Sequence, residues 1–399
     1  MISPSEADAL IGRHLNCLPI ESLPLMQCSG AVLRENVYAE RDQPPFDRVA
    51  MDGVALDSSA VRDGRRRFRV QAMQAAGDAP LRLEASDAAI EIMTGASLPA
   101  GCDAVVPVEQ LLRSGDAIEL EERVRVAPWQ NVHRRGSDCS QGSLLLTAGS
   151  PLGAPEIAVA AGAGMPRIRV SAQPTISVIS TGNELVEPGA PVEPHQVRRS
   201  NAYGILAALR RRGFQRIADD HLADDLATLI ARLRVQLDTH DVLILSGGVS
   251  MGKLDLVPQA LAALGVREVF HKISQRPGKP MWFGIGPQGT AVFALPGNPV
   301  STQVCLARYV VPGLHAAMGG DAPTIEKIAI AAPLEIKHGL TSLIPVRIEI
   351  DDWGRPWAHP RLTNGSGDFT ALVGTDGVVE LPPGPNEFAK GFVTRLFRW

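Results

Sequence analysis

Residues 5 to 18 place Ala7, Leu10, Ile11 and Leu15 at helical spacing, which predicts a short amphipathic helix with Ser5 as its N-cap. From about 22 to 170 the pattern changes to short apolar runs broken by Gly, Pro and Asp, as in Phe68-Arg69-Val70 and Ala104-Val105-Val106-Pro107-Val108. Runs of that length with turn residues between them predict one or two small β-rich domains. Only 154–164 reads as a helix there, with Pro155 in its first turn.

From 174 onward, strand and helix patterns alternate. Strands are predicted at 175–180, 241–245, 266–273, 281–285 and 291–295. Helices are predicted at 201–212 (capped by Ser200 or Asn201), 224–238, 254–264 and from 299 to about 318. Alternation of this kind builds a mostly parallel sheet with helices on both faces. The tail, about 321 to 399, returns to short strands and Gly/Pro turns, a small β-barrel or sandwich. The fold class is therefore α/β plus β, multidomain, with a central doubly wound α/β domain flanked by β-rich domains.

A chain of 399 residues has room for two to four domains. Its net charge of -4 gives no broad basic surface for nucleic acid or acidic lipid, so an anionic ligand must be met by local chemistry. The five cysteines are scattered and form no C-x-x-C pair, which argues against a disulfide framework or zinc site and for a reducing compartment. The first residues carry no basic n-region or apolar h-region, and no run is long enough for a membrane span; a cytoplasmic protein is expected. Of 39 basic residues only six are lysine, so a lysine inside a glycine loop is a notable choice.

Three such loops fall at predicted strand ends. Ser246-Gly247-Gly248-Val249-Ser250 follows one strand and precedes a helix, where backbone N–H groups and a helix N-terminus favour negative charge. Arg276-Pro277-Gly278-Lys279-Pro280 is a proline-stiffened turn with two cations. Pro296-Gly297-Asn298-Pro299 opens a helix after a third strand. Each alone reads equally well as a turn; together in one domain they predict a cleft for an anionic, nucleotide-like ligand.

Carboxylates form a second group: Asp52 before Gly53, Asp138 in Arg135-Gly136-Ser137-Asp138, Glu184 after Gly182-Asn183, and Asp255 after the Gly-Gly loop. Magnesium is commonly held by one or two carboxylates plus substrate phosphates, although capping of turns explains any single Asp. Spacing does not choose between these readings. No G-x-S-x-G elbow and no Walker pattern is present.

The ordered motifs resemble the molybdopterin molybdenumtransferase family, which includes the E domain of gephyrin. The matching pieces are Ala50-Met51-Asp52-Gly53, Met93-Thr94-Gly95-Ala96, Arg135-Gly136-Ser137-Asp138, Ser180-Thr181-Gly182-Asn183-Glu184, Ser200-Asn201, the three glycine loops and Asn364-Gly365-Ser366-Gly367-Asp368. The resemblance implies residues 1–21 as a helix packing on the α/β domain and 22–42 with 143–172 as a linking domain. It further implies 43–142 as a β-rich domain, 173–320 as the α/β molybdopterin-binding domain and 321–399 as a C-terminal β domain.

The resemblance also implies a homodimer whose cleft is shared between subunits, acting on adenylylated molybdopterin and molybdate with Mg2+ and releasing AMP. A molybdopterin adenylyltransferase is implied as a further partner. Asp52, Asp138, Glu184, Asp255 and Lys279 would be catalytic, with Glu184 and Asp255 on the metal. Thr94, Arg135, Ser246, Gly247, Gly248, Ser250, Arg276, Gly278, Pro296, Gly297, Asn298, Pro299 and Ser366 would bind substrate.

Three departures from the family pattern stand out. Val49 replaces a small hydroxyl residue, Arg198-Arg199 replaces an acidic position and implies a more basic local surface, and Arg276 replaces a lysine. They leave open a tungstate-handling or pathway-specific paralogue, or a non-catalytic gephyrin-like scaffold.

Overall fold

The computed structural model describes residues 1–249, 256–321, 325–336 and 339–399. The chain forms two compact units, one of residues 1–35, 148–153 and 167–399, the other of 36–147 and 154–166. The smaller unit is built on a six-stranded sheet. Its order is Ala104–Pro107, Gly53–Leu56, Ala88–Ile92, Arg67–Gln74, Ala117–Leu120, Leu111–Ser114. Only the pairing of Arg67–Gln74 with Ala88–Ile92 is parallel. One face buries Val54, Leu56, Phe68, Val106 and Ile118, the other Val49, Ala55, Ile92 and Val105. Alternation along Gly53–Leu56 serves both cores, as a period of two requires. The predicted helix is present as Ala154–Gly162.

In the larger unit the first helix, α1 (Pro4–His14), is capped by Ser3 rather than Ser5. Ser3 accepts from the Glu6 N–H and Glu6 accepts from the Ser3 N–H. This reciprocal box places Pro4 at the first helical position, where its missing N–H costs nothing.

The α/β core comprises β1 (Ile176–Thr181), α2 (Ser200–Arg211), β2 (Ile217–Leu222), α3 (Leu226–Thr239), β3 (Val242–Ser246), α4 (Val257–Ala263), β4 (Arg267–His271), β5 (Trp282–Ile285), β6 (Ala291–Leu295) and α5 (Pro299–Cys305). A π-helical turn, Leu306–Val310, leads from α5 into α6 (Val311–Ala317). The strands lie in the order β2-β1-β3-β6-β5-β4. Pairings are parallel as far as β6, and β5 and β4 then run antiparallel. The β5–β6 link is too short for a crossover helix, so that pair must be antiparallel.

Alternate residues of the central strands feed two cores. Ile176, Val178, Ile244, Phe293 and Leu295 pack with α1, α2 and the π-turn; Ile179, Leu243, Leu245 and Val292 pack with α3 and α4. On α3, Leu229, Leu233 and Leu237 are buried at four-residue spacing, each contributing roughly 2 kcal/mol of burial. Both cores are mostly apolar, and the loops lie at the strand ends.

The C-terminal region holds β7 (Lys327–Ile330), β8 (Thr341–Ile350), β9 (Pro356–Pro360), β10 (Gly377–Leu381) and β11 (Val393–Arg398). The order β8-β9-β7-β11-β10, with β10 pairing back to β8, closes a five-stranded barrel around Ile330, Val346, Val379 and Leu381. Closure removes the unpaired edges that an open sheet of this size would expose. The pair Gln275–Arg276 joins this barrel as a short strand parallel to β8.

Candidate active site

The loops after β1, β3 and β6 and the turn before β5 all emerge at one edge of the sheet, because β5 runs opposite to β6. The loop after β3 has Gly247 at φ 103 and Gly248 at φ 66. A Cβ on Gly247 would sit 2.6 Å from the Thr181 carbonyl oxygen, and one on Gly248 2.7 Å from a Val257 methyl. Only glycine fits there. The Thr181 hydroxyl behind these glycines is buried without a hydrogen-bond partner. Ser250 and Asp255, both expected in this site, lie outside the described residues.

Asn201, in the first turn of α2, ties two of the loops together. Its amide donates to Ser246 Oγ at 2.9 Å and to the Gly297 carbonyl at 2.8 Å. Asn298 stands at the N-cap of α5, with Pro299 as the first helical residue, but its side chain does not cap the helix. It donates instead to Ser366 Oγ at 2.7 Å, and the Ser366 carbonyl accepts from the Val300 N–H. The barrel thereby reaches the third glycine loop.

A pocket of about 480 Å³ opens beside this contact, lined by Arg276, Gly278, Lys279, Pro296, Asn298, Arg361 and Ser366 among others. Among the described residues, no Asp or Glu lines it. Arg276, Lys279 and Arg361 are exposed, and no carboxylate pairs with any of them among the described residues. Three unpaired cations in a chain of net charge -4 make a local anion site. Arg361 was not foreseen, because no motif surrounds it; it follows β9, and its N–H bonds the Pro345 carbonyl of the adjacent strand β8.

Glu184 is exposed on the loop after β1. Its neighbour Asn183 exchanges bonds with Asp224, accepting from the Asp224 N–H at 3.1 Å and donating its own to Asp224 Oδ2 at 3.4 Å. Asp224 is a second carboxylate of this edge that the sequence reading passed over; the adjacent Asp225 caps α3 and masks its partner. Two carboxylates on adjoining loops are hard oxygen donors of the kind magnesium accepts, with substrate and water completing its shell. Among the described residues no group of three or more His, Cys, Asp or Glu forms a dedicated metal cage.

Of the expected basic surface at Arg198-Arg199, Arg198 is exposed but Arg199 is withdrawn from it. Arg199 is 5% exposed and bonds Ser180, Glu187 and Asp219. Burial opposes its charge, but the hydrogen bonds it donates to both acids leave its pKa raised. Arg198 is spent on the carbonyls of Glu187 and Ala190. Both guanidiniums brace the Glu187 segment.

In the smaller unit, Asp52 and Thr94 meet: Asp52 Oδ1 accepts from both the N–H and the hydroxyl of Thr94, each at 2.6 Å. These bonds, the hydroxyl first, hold the Asp52 carboxyl below its ordinary range. Arg135 pairs with Asp42 at 2.7 Å, and its N–H donates to Asp47 at 2.9 Å. Asp138 is exposed, with its N–H on the Gln43 carbonyl. Val49 is 1% exposed in the core beneath this segment, so its departure from the family pattern alters packing rather than the polar rim.

Family models match along the chain in order: MoeA N-terminal region (domain I and II) at residues 2–164, probable molybdopterin binding domain at 177–316, and MoeA C-terminal region (domain IV) at 327–393. A molybdopterin molybdenumtransferase of Synechocystis sp. is 37% identical over 100% of both chains. Molybdopterin molybdenumtransferase 2 of Mycobacterium tuberculosis is 34% identical over 96% of this chain and 95% of its own. A crystal structure of a molybdopterin biosynthesis MoeA protein from Pyrococcus horikoshii superposes with a TM-score of 0.83 at 25% identity, covering 100% of each chain.

Proposed function

The chain belongs to the molybdopterin molybdenumtransferase family, and from that premise we propose that it inserts molybdate into adenylylated molybdopterin and releases AMP. The observation that carries this reading is the pocket of about 480 Å³ holding Arg276, Lys279 and Arg361, with no acid among its described lining residues. A tetrahedral oxyanion needs fixed positive charge and donors, and Lys279 and Arg361 with the Ser366 hydroxyl supply both.

The glycine loop after β3 would receive the phosphates, whose oxygens can approach backbone N–H groups only where no Cβ intervenes. Glu184, with Asp224 beside it, would hold magnesium at the neighbouring loop. The ion would neutralise charge on the phosphoanhydride as it is cleaved. Asp52 and Asp138 would serve in the same reaction from the β-rich unit, within a cytoplasmic homodimer.

The test is direct. Purified protein given adenylylated molybdopterin, molybdate and magnesium should release AMP in proportion to cofactor formed, read by chromatography. Wild type that leaves the adenylylated substrate intact under these conditions overturns the reading.

A further inference from the structure

The turn Arg276–Pro280 must hold two cations in place, yet Pro277 and Pro280 have no N–H to anchor it. Its carbonyls take over. The Pro277 carbonyl accepts from Gln275 Nε2 at 3.1 Å, and the Gly278 carbonyl accepts from the Cys305 thiol at 3.7 Å. Burial pushes that thiol up to about 12, so it stays protonated and remains a donor.

Gln275 is fully buried, and its Oε1 accepts from the hydroxyl of Tyr309, itself 1% exposed. With Nε2 committed to the Pro277 carbonyl, the amide has one orientation that satisfies both ends. Gly278 closes against the same pair: a Cβ there would lie 2.6 Å from Cys305 Sγ and 2.7 Å from Gln275 Nε2.

Tyr309 sits in the π-turn Leu306–Val310. Its neighbour Arg308, 3% exposed, bonds Asp8 of α1 at 2.7 and 2.9 Å and Glu380 of β10 at 2.5 Å. The turn that carries Tyr309 is thus clamped on two sides through the buried Arg308 guanidinium, to the exposed Asp8 and the half-buried Glu380. Single π-turns inside α-helices recur at functional places, where they re-aim a side chain. Burying a glutamine amide and a phenol in an otherwise apolar core is costly unless each is satisfied by the other.

We propose that Gln275 and Tyr309 are positioning residues for the anion pocket: the π-turn fixes the phenol, the phenol fixes the amide, and the amide fixes the carbonyl one residue from Gly278 and two from Lys279. Tyr309 does not line the pocket, and Gln275 borders it with a fully buried side chain, so both act through the turn. This rests on the reading of Lys279 as an oxyanion ligand.

A double-mutant cycle separates positioning from mere core satisfaction. Tyr309→Phe strands the buried Gln275 Oε1, whereas Tyr309→Phe with Gln275→Met removes that stranded acceptor but also the Nε2 donor to the half-buried Pro277 carbonyl, so stability is recovered in part. Molybdate binding to the full-length protein is measured by calorimetry, beside thermal unfolding and the KM for molybdate against kcat. Positioning predicts a Kd weakened by roughly tenfold in both variants while Tm recovers in part in the double, with KM following Kd and kcat changing less. Wild-type Kd in Tyr309→Phe, or a Kd that recovers together with Tm, overturns the proposal. Lys279→Gln is the control. If wild type and Lys279→Gln bind molybdate equally, the site reading itself fails; if Lys279→Gln weakens binding and Tyr309→Phe does not, only the positioning role falls.

Discussion

Thr94 gives Asp52 both of its hydrogen-bond donors, the backbone N–H and the hydroxyl, at 2.6 Å each. Because these bonds favour the carboxylate, the folded pKa lies below the unfolded one. The stabilising contribution is fully present above the unfolded value of about 3.9 and disappears as pH falls through the lower, folded value. Between pH 5 and 8 Asp52 therefore stays anionic and contributes no step to an activity profile. Thr94→Val should move the Asp52 titration upward, as followed by carboxyl-carbon NMR. An unchanged titration would show that the hydroxyl does not hold this acid.

Asn201 is the joint between the first and third glycine loops. Asn201→Ala should cost about 1–2 kcal/mol in urea unfolding, since it deletes two hydrogen bonds at a half-buried position. Asn201→Asp should be no better, because a carboxylate cannot donate to the Gly297 carbonyl. Recovery of wild-type stability by the aspartate variant at neutral pH would contradict the donor role.

Arg361 and Lys279 share a pocket that no acid among the described residues lines. Arg361→Ala and Lys279→Gln should each weaken molybdate binding by about tenfold at low salt. The gap should narrow at high ionic strength, as expected for exposed charge. Calorimetric titration at two salt concentrations checks this; an Arg361→Ala protein that binds like wild type removes the barrel from the anion site.

Gly278 combines φ 89 with no space for a methyl group. Gly278→Ala should destabilise by about 2 kcal/mol or more, from left-handed strain plus collision with Cys305 and Gln275. Gly189→Ala is a matched control, with φ 92 and open surroundings, and should show the strain alone, about 1 kcal/mol. Equal losses in the two variants would mean that the close packing behind Gly278 does not matter.

Much of the α/β domain was readable because its strands are continuous apolar runs: every residue of Ile176–Thr181 is buried. Two of the glycine loops were readable for a related reason, since positive φ and close approach at Gly247, Gly248 and Gly278 exclude other residues. The cap of α1 shows a smaller slip. The box Ser3-Pro4-Ser5-Glu6 was present in the sequence, and choosing Ser5 ignored the three-residue spacing that the reciprocal bonds need.

What was hidden is long-range in sequence. Arg361 enters the anion pocket only because β9 lies beside β8, and Ser342 and Arg276 are neighbours only through a parallel pairing across 66 positions. Arg199 misled for the opposite reason. As a type it signals surface charge, and nothing local showed that Asp219 and Glu187 would enclose it. The Gln275–Tyr309 pair likewise spans 34 positions, and neither residue belongs to a motif.

The strand order also works as a ruler. From β1 to β5 the sheet runs β1-β3-β6-β5, three steps of about 4.8 Å, or about 14 Å in all. Glu184 follows the first strand of that series and Lys279 precedes the last. A lone tetrahedral oxyanion can satisfy one end at a time, so any single molecule in touch with both must be long. Length, as well as charge, is selected by the order in which these strands are laid down.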